Sequence, residues 1–375
     1  MSNNTQPEIR FPGFTEDWEQ RKLGDFIDVK SGKDYKHLNS GSIPVYGTGG
    51  YMLSVDRALS DIDAIGIGRK GTIDKPYLLK APFWTVDTLF YAVPKQNIDL
   101  QFSLSIFKKI NWKKFDESTG VPSLSKTVIN SVGASVPSYE EQQKIGSFFK
   151  QLDETIALHQ RKLDLLKETK KGFLQKMFPK NEAKVPEIRF PGFTKDWEER
   201  KLGDVFSERS ERSSEGELIS VTINSGVIKA SELDRKDNSS DNKSNYKKVE
   251  VGDIAYNSMR MWQGASGYSS YEGILSPAYT VIIPKEGTDS KFFAYDFKRY
   301  DMIQTFKRNS QGLTSDTWNL KFPTLKLVKI MVPSIEEQKQ IAAFFERLDN
   351  TIALHERELD VLKETKKGFL QKMFV

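Results

Sequence analysis

Residues 148–178 read FFKQLDETIALHQRKLDLLKETKKGFLQKMF, and residues 344–374 repeat this stretch with 25 of 31 positions identical. In both copies apolar residues recur alternately four and three positions apart, which is the heptad spacing of a helix that buries one narrow stripe. The stretch therefore predicts two long amphipathic helices of nearly the same sequence. At 375 residues the chain also has room for two domains of ordinary size.

The apolar stripe of each helix is predicted to form a helix–helix seam. The predicted seam residues are Ile145, Phe149, Leu152, Ile156, His159, Leu163, Leu166, Ile341, Phe345, Leu348, Ile352, His355, Leu359 and Leu362. Two equivalent modules in one chain can pair through the same surface, which sets their helices antiparallel about a pseudo-two-fold axis. A translational stack usually needs three or more repeats to cover its faces. We therefore expect an antiparallel coiled coil.

Start signals precede both helices. Ser138 and Ser334 stand three residues before Glu141 and Glu337, which is the spacing of a capping box. The predicted helices begin near these serines and continue for about 40 residues, which corresponds to a rod of roughly 60 Å.

Glycine interrupts both predicted helices near their ends, at Gly172 and Gly368. Each glycine is expected to cost about 1 kcal/mol of helix stability relative to alanine. The pattern indicates either close approach of another backbone or fraying of the last turns.

A second repeat precedes each insert. Residues 7–25 read PEIRFPGFTEDWEQRKLGD, and residues 186–204 match them at 17 of 19 positions. The stretches between the repeats share no comparable string, so one duplicated frame holds two different inserts. This organisation predicts an N-terminal repeat segment, a first insert, a first helix, a linker with the second repeat, a second insert and a second helix, at 1–25, 26–135, 136–178, 179–204, 205–331 and 332–375.

The two inserts lack helical periodicity over most of their length. Short apolar runs punctuated by glycine predict strands and loops, and these runs lie at 43–51, 64–73, 83–93, 253–268 and 274–284. One helix is expected in each insert, at 101–110 and at 291–306. Each insert is thus predicted to be a compact mixed α/β unit, and the whole chain to belong to the α+β class.

The insert loops carry the chemistry that DNA recognition requires. Arginine, asparagine and glutamine can make paired hydrogen bonds to base edges, while lysine and small hydroxyl side chains suit phosphates. The candidate DNA-binding residues are Lys33, Thr48, Arg69, Lys70, Thr72, Thr119, Ser123, Lys126, Asn257, Arg260, Trp262, Gln263, Ser310, Gln311 and Thr314. The alternative for each of them is an ordinary solvated turn.

Composition agrees with a DNA-binding protein without requiring one. Lysine and arginine number 56 against 51 acidic residues, a formal net charge of +5, which is weak evidence for a polyanionic partner. The chain has no cysteine and three histidines, which excludes thiolate zinc sites and disfavours a histidine-rich metal centre. No apolar run approaches the roughly 18 residues of a membrane span, and no secretory signal pattern opens the chain, so a cytoplasmic location is expected.

Catalytic motifs are missing from the sequence. GTGG and GRKG do not match the phosphate-loop pattern, and no amino-methyltransferase or nuclease motif occurs. A serine–histidine–aspartate set would have to use His37 or a seam histidine. We therefore expect no catalytic residue in this chain. The alternatives are a stand-alone methyltransferase or nuclease, and a structural adaptor whose inserts bind protein.

The order of insert, capped helix, repeated linker, second insert and second capped helix resembles the specificity subunit of Type I restriction–modification enzymes. The resemblance rests on EIRFPGF…WE…KLGD, on the helix starts VPS-x-EEQ, on AIGIGRKGTI…WTVDT and on MRMWQGASGYS…EGILSPAY. It covers essentially the whole chain. It implies two target recognition domains, each reading one half of a bipartite, asymmetric DNA site, separated by two long antiparallel helices.

The resemblance also implies partners. In the family the repeated regions dock two modification subunits, which bind S-adenosylmethionine and methylate adenine, and restriction subunits add ATP-driven translocation and cleavage. S-adenosylmethionine, ATP and Mg²⁺ are therefore expected in the partner subunits and no cofactor in this chain. The partner of the chain itself is double-stranded DNA, with the helices fixing the gap between half-sites.

Overall fold

The computed structural model describes residues 6–180, 183–233 and 242–375. The chain divides into two compact units. Unit 1 comprises Met1–Arg161 and Glu356–Val375, and unit 2 comprises Lys162–His355. Both boundaries fall inside the long helices, so each unit contains one insert, the start of one long helix and the end of the other.

The helices are long in the repeats and short elsewhere. They cover Leu23–Phe26 (α1), Leu100–Lys109 (α2), Lys126–Ser131 (α3), Tyr139–Lys176 (α4), Leu202–Val205 (α5), Ser290–Asp296 (α6), Tyr300–Asn309 (α7), Phe322–Leu325 (α8) and Ile335–Lys372 (α9). Helices α4 and α9 have 38 residues each, which confirms the two long helices expected from the heptad spacing.

The strands are short and lie mostly in the inserts. They cover Glu19–Lys22 (β1), Ile27–Ser31 (β2), Ser40–Gly47 (β3), Gly50–Val55 (β4), Ala64–Gly68 (β5), Tyr77–Leu79 (β6), Trp84–Thr85 (β7), Leu89–Pro94 (β8), Gly133–Val136 (β9), Glu198–Lys201 (β10), Phe206–Glu208 (β11), Ile219–Thr222 (β12), Gly226–Lys229 (β13), Lys247–Val249 (β14), Ile254–Asn257 (β15), Ser266–Tyr268 (β16), Gly273–Leu275 (β17), Tyr279–Pro284 (β18) and Lys329–Val332 (β19).

Each unit contains a two-stranded and a four-stranded antiparallel sheet with the same connectivity. In unit 1, β1 pairs with β9 and the larger sheet has the order β2-β8-β5-β6; in unit 2, β10 pairs with β19 and the order is β11-β18-β15-β16. The inserts differ in their additional strands, which form β4-β3-β7 in unit 1 and β12-β13 and β14-β17 in unit 2. The predicted α+β class is confirmed, and the two inserts share a sheet that their sequences do not reveal.

An aromatic core attaches each insert to the long helices. In unit 1 the ring of Phe102 in α2 stacks on Phe374 at 5.6 Å, and Phe149 of α4 lies 5.8 Å from Phe374. In unit 2 Phe292 of α6 stacks on Phe178 at 5.3 Å. Burial of such a ring stabilises the fold by about 1.5–3 kcal/mol, so these contacts fix each insert to the helix segments of its own unit.

The long helices run antiparallel within each unit. In unit 1 Phe148, near the start of α4, lies 5.0 Å from Phe369, near the end of α9. In unit 2 Phe344, near the start of α9, lies 5.0 Å from Phe173, near the end of α4. The same contact recurs with the roles of the two helices exchanged, which confirms the expected antiparallel pairing.

The predicted seam residues lie on the covered side of both helices. None of them is exposed; Ile145 and Ile341 are buried, for example, and Leu152 is half-buried. His159 is also half-buried, and its Nδ1 atom lies 3.6 Å from a carboxylate oxygen of Glu358. The stripe is therefore mostly apolar, with polar contacts along it.

A serine caps the start of each long helix. The backbone N–H of Glu141 donates to Oγ of Ser138 at 3.4 Å, and Glu337 donates to Ser334 at the same distance. In a complete capping box the glutamate side chain would also accept a hydrogen bond from the backbone N–H of the capping serine. Here the Glu141 carboxylate instead accepts two hydrogen bonds from the guanidinium of Arg10, at 2.7 and 2.8 Å.

The same arginine–glutamate pair recurs in unit 2. Arg189 donates two hydrogen bonds to Glu337, at 2.7 and 2.8 Å. Glu141 and Glu337 are each 1% exposed, and the hydrogen bond to Glu141 raises the pKa of Arg10. Both arginines come from the EIRFPGF repeat and both glutamates from the EEQ repeat, so this pair ties the two repeated segments together.

One expectation from the sequence is wrong. The helix expected at 291–306 is divided, since α6 ends at Asp296 and α7 starts at Tyr300. Arg299 has an extended backbone at the break, and its guanidinium lies 2.7 Å from the buried Asp296 carboxylate. Of the two explanations left open for the helix glycines, close approach of another backbone does not apply, because a Cβ at Gly172 or Gly368 would meet no described atom within 4 Å.

Candidate nucleic-acid interface

The Arg69–Gly71 turn is the centre of the candidate interface in unit 1. Strand β5 is entirely buried, and Arg69 and Lys70 emerge from its end as exposed residues. Gly68 has no room for a side chain, since a Cβ there would collide with the carbonyl oxygen of Thr72, and Gly71 has a φ of +95°. The glycines of GRKG therefore permit a tight turn that presents two cations.

A second loop, residues 116–125, holds this turn from one side. Gly71 donates its backbone N–H to the Pro122 carbonyl at 2.8 Å, and Leu124 donates to the Arg69 carbonyl at 2.9 Å. The Asp116 carboxylate shapes the loop by accepting hydrogen bonds from Ser123 and Ser118, which lower the pKa of Asp116. The backbone of both loops is thus fixed, while the cationic side chains are left on the surface.

The two loops enclose a groove of about 580 Å³. Four candidate residues line it: Arg69, Lys70, Ser123 and Lys126. Arg69 lies 5.9 Å and Lys126 6.0 Å from the centre of the Phe90 ring at the bottom of the groove. Three cationic side chains and one carboxylate, that of Glu117, line the groove. The excess of positive charge suits a phosphate or the acceptors of a base edge.

The other candidates of unit 1 do not line this groove. Thr48 lies next to the turn, with its Oγ1 3.7 Å from the position of a Cβ at Gly71. Thr72 lies directly after the turn, and Thr119 is exposed on the second loop. Lys33 follows β2, where its carbonyl accepts a hydrogen bond from the Trp84 indole at 2.8 Å.

The candidate interface of unit 2 begins at the end of β15. Asn257 accepts a hydrogen bond from the Met259 backbone with its side-chain oxygen at 3.0 Å, so half of its amide is used to shape the turn. Arg260 is exposed, and a short 3-10 turn, Met261–Gln263, ends at Gly264 with a φ of +85°. The strand end therefore presents Arg260 as its cation, as β5 presents Arg69 in unit 1.

Two tryptophans cover this turn. The Trp262 ring lies 5.1 Å from the Trp318 ring in an edge-to-face arrangement, and its indole N–H donates to the Met259 carbonyl at 3.0 Å. Lys307 lies 5.6 Å from the centre of the Trp318 ring. This half-buried aromatic pair beside exposed cations is suited to stacking on a base or a sugar.

The loop after α7 carries the remaining candidates. Gln311 and Asn319 form a pair of backbone hydrogen bonds, at 3.0 and 2.8 Å, that closes the loop. Gln311 and Thr314 are exposed, whereas the Ser310 hydroxyl already donates to the Phe306 carbonyl at 2.8 Å. The backbone N–H of Leu320 donates to the Ser258 carbonyl at 2.8 Å, which places this loop beside the turn that carries Arg260.

Lys298 supports the unit 2 turn from below. Its ammonium donates to the carbonyls of Gly264 and Ile223, the latter at 2.9 Å. Burial, together with the nearby charge of Lys170, lowers the pKa of Lys298 to about 8. The residue holds the end of the 3-10 turn in place, so it is a positioning residue for the exposed groups.

The sequence alone does not point to Lys298, Trp318 or Lys307. Trp318 in SDTWN was the strongest available signal, because a tryptophan in a polar loop is often a contact residue. Its partner ring is 56 residues away in sequence, and no local pattern brings them together. Among the described residues, neither interface contains a cluster of histidine and carboxylate side chains placed to hold a metal ion.

Comparison with known proteins identifies the family. The family model of the Type I restriction modification DNA specificity domain matches the chain twice, over residues 15–168 and 194–364. Each match covers one insert and most of the long helix that follows it. The chain belongs to this family.

Named relatives are specificity subunits. The MjaVIII specificity subunit of Methanocaldococcus jannaschii is 23% identical over 407 aligned positions, covering 95% of this chain and 91% of the relative. The MjaIX specificity subunit of the same organism is 34% identical over 94 residues, which is 25% of this chain and 21% of the relative.

Solved structures show the same fold. The S subunit of a Type I restriction–modification system from M. genitalium matches with a TM-score of 0.68 at 16% identity, covering 99% of both chains. A chain from work on complex assembly and conformational transition of the type I R-M system matches with a TM-score of 0.51 at 16% identity, covering 98% of this chain and 99% of that one.

The family and the relatives make this chain a DNA specificity subunit of a Type I restriction–modification system, a non-catalytic component. They give no support to a stand-alone methyltransferase or nuclease, or to an adaptor that binds protein alone. Among the described helices, none combines the length and the apolar character needed to cross a membrane.

Proposed function

We propose that each insert reads one half of a bipartite DNA site, using the Arg69 groove in unit 1 and the Arg260–Trp318 surface in unit 2. The convergence of Arg69, Lys70, Ser123 and Lys126 on one groove supports this proposal most directly. Cations positioned around a concavity favour the phosphate backbone, and arginine can also make paired contacts to guanine.

The two surfaces differ in chemistry, so the two half-sites should differ in sequence. The groove of unit 1 combines three cations with Phe90 beneath them. The surface of unit 2 combines Arg260 with two tryptophan rings. Hydrogen-bonding and stacking groups at different positions select different base edges, which makes the DNA site asymmetric.

The proposal assigns the duplicated frame to two modification subunits. Near-identical segments in both units, tied by the same arginine–glutamate pairs, offer the same surface twice. Such surfaces suit two copies of one partner. We assign S-adenosylmethionine, ATP and Mg²⁺ to the modification and restriction partners, and place the complex in the cytoplasm.

Exchange of one insert tests the proposal. Residues 27–132 are replaced by the equivalent insert of another specificity subunit, which leaves β1 and β9 of the frame in place. We expect one half of the recognised site to change, as read by sequencing methylated DNA from cells that contain the chain and its partners. The matched control exchanges residues 206–328 and should change the other half.

The outcomes are distinct. If both halves of the site change after one exchange, or neither does while methylation continues, the inserts are not separate readers. A gel-shift series with purified complex adds a second readout, since affinity should fall steeply as salt rises if phosphates are contacted.

A further inference from the structure

Leu313 and Val121 are exposed apolar residues at matching places in the two units. Each follows a glycine in a loop near the end of its insert, ahead of the next long helix. Leu313 is 100% exposed and Val121 is 56% exposed. A fully exposed leucine contributes nothing to its own fold through burial, so this side chain is available to contact another molecule.

The loop that carries Leu313 has a defined shape. The Gln311–Asn319 pair closes it, and the Thr317 hydroxyl donates to the Thr314 carbonyl at 2.9 Å. Gly312 has a φ of +147°, and a Cβ there would lie 2.6 Å from the Thr317 carbonyl oxygen. The polar groups of the tip thus bond to one another, and the leucine side chain is left pointing to solvent.

The base of the same loop belongs to the proposed DNA surface. Leu320 donates to the Ser258 carbonyl at 2.8 Å, and Trp318 packs on Trp262 at 5.1 Å. The cations Lys307 and Arg308 end the helix that leads into the loop. These cations and the leucine therefore belong to one helix–loop segment, next to the turn that carries Arg260.

We infer that Leu313 enters a groove of the DNA and packs against the apolar surface of a base in the second half-site. Val121 is its counterpart for the first half-site. Apolar side chains recognise the thymine methyl group in the major groove and can also wedge between base pairs. The inference rests on the proposed function, because it needs DNA on the surface that carries Arg260 and Trp262.

The loop of unit 1 supports this pairing independently. The Pro122 carbonyl, directly after Val121, accepts the backbone N–H of Gly71 at 2.8 Å. Val121 therefore lies on the loop that borders the Arg69 groove, as Leu313 lies on the loop that borders the Arg260 turn. In both units an apolar tip accompanies exposed cations, and the two loops share the pattern Ser-x-Gly-aliphatic-x-Ser, at 118–123 and 310–315.

The test uses the full chain with its partner subunits and a duplex selected by that complex from a random-sequence pool. We expect Leu313→Ala to weaken binding of this duplex about tenfold, which is equivalent to about 1.4 kcal/mol. Repeating the selection with the variant should show relaxed preference within the second half-site alone. The dependence of affinity on salt should not change, because no charge is removed.

Two further variants complete the design. Leu327→Ala removes another exposed leucine of unit 2, 58% exposed and outside the loop, and should leave both readouts unchanged. Val121→Ala should relax the first half-site instead of the second. Because Leu313 makes no buried contact, its replacement should not alter the circular dichroism or the unfolding midpoint.

The inference and the proposed function can fail separately. If the wild-type complex selects a DNA site and Leu313→Ala selects it with the same affinity and the same preferences, Leu313 does not contact a base. If the wild-type complex shows no preference for any duplex, the proposed function fails and the inference fails with it.

Discussion

Units 1 and 2 have the same frame and different candidate DNA-binding surfaces. Their four-stranded sheets have the same connectivity and their arginine–glutamate pairs have the same geometry, yet unit 1 gathers three cations around Phe90, whereas unit 2 pairs Trp262 with Trp318. The difference lies in the loops at equivalent strand ends, β5 and β15. One scaffold can therefore present different side chains at equivalent strand ends. The residues that stabilise each unit are thus distinct from those proposed to contact DNA.

The largest loss of stability is expected from substitutions in the duplicated frame, and the loss should be about the same in the two units. Arg10→Ala in unit 1 or Arg189→Ala in unit 2 leaves a buried carboxylate without its partner, which destabilises by about 3–5 kcal/mol. Hydrogen exchange should detect the loss in the unit that carries the substitution. Arg200→Ala breaks an exposed pair with Glu198 and is the control, with an expected loss below about 1 kcal/mol. Equal small losses for all three variants would contradict a structural role for the buried pairs.

The next effect concerns two lysines at equivalent places in the two units, and burial lowers the pKa of both. Lys298 stands nine residues after the helix-capping Asp289, and Lys108 stands nine residues after the equivalent Asp99. Their partners differ. Lys108 forms an ion pair with Asp153 at 2.8 Å, whereas Lys298 donates hydrogen bonds to backbone carbonyls. The pKa of Lys298 is about 8 in the folded chain and about 10.4 in an unfolded chain.

The unfolded chain therefore binds more protons between these pH values, and the free energy of unfolding should rise as pH increases from about 8 to about 10.4, by up to about 3 kcal/mol. Lys298→Met should remove the part of this rise that Lys298 contributes, as measured by urea unfolding at the two pH values, whereas the buried Lys108 and Lys109 still contribute theirs. Lys285→Met, at an exposed lysine that also donates to a carbonyl, should keep it. Persistence of the full rise in Lys298→Met would assign it to other groups.

A smaller effect is expected from the exposed cations. Arg69→Ala and Arg260→Ala should each weaken DNA binding by about 1–3 kcal/mol if they contact bases, and each should relax one half-site. If they contact phosphates, the loss should be uniform across sequences, with the salt slope reduced by about 1. Gel shifts over a range of salt distinguish these cases. An unchanged affinity in both variants would exclude the two surfaces as DNA contacts.

The smallest change in stability is expected at the two helix glycines, and it should be about equal for both. Gly172→Ala and Gly368→Ala place a methyl group in open space on a long helix, and alanine favours a helix over glycine by about 1 kcal/mol. Each should raise the free energy of unfolding by up to this amount in a denaturant titration. Destabilisation by either variant would show that a surface of the helix needs the glycine.

Local patterns explain which features were predictable. Heptad spacing and the serine caps are encoded within a few residues of one another, so both long helices and their antiparallel pairing followed from the sequence. The shared sheet did not, because strands of three to six residues such as β15 and β18 pair across intervening loops. The break at Arg299 depends on a buried carboxylate, and the Trp262–Trp318 contact on a distant loop. The DNA contacts themselves are still predictions.

The arginine–glutamate pairs have one consequence for how the inserts can change during evolution. The paired residues are 131 positions apart in unit 1 and 148 apart in unit 2, and the entropy of closing a loop grows only logarithmically with its length. That difference changes the closure cost by about 0.1 kcal/mol. Natural variation can therefore lengthen, shorten or replace an insert without altering the anchors, so new target specificities can arise while the rest of the gene stays constant.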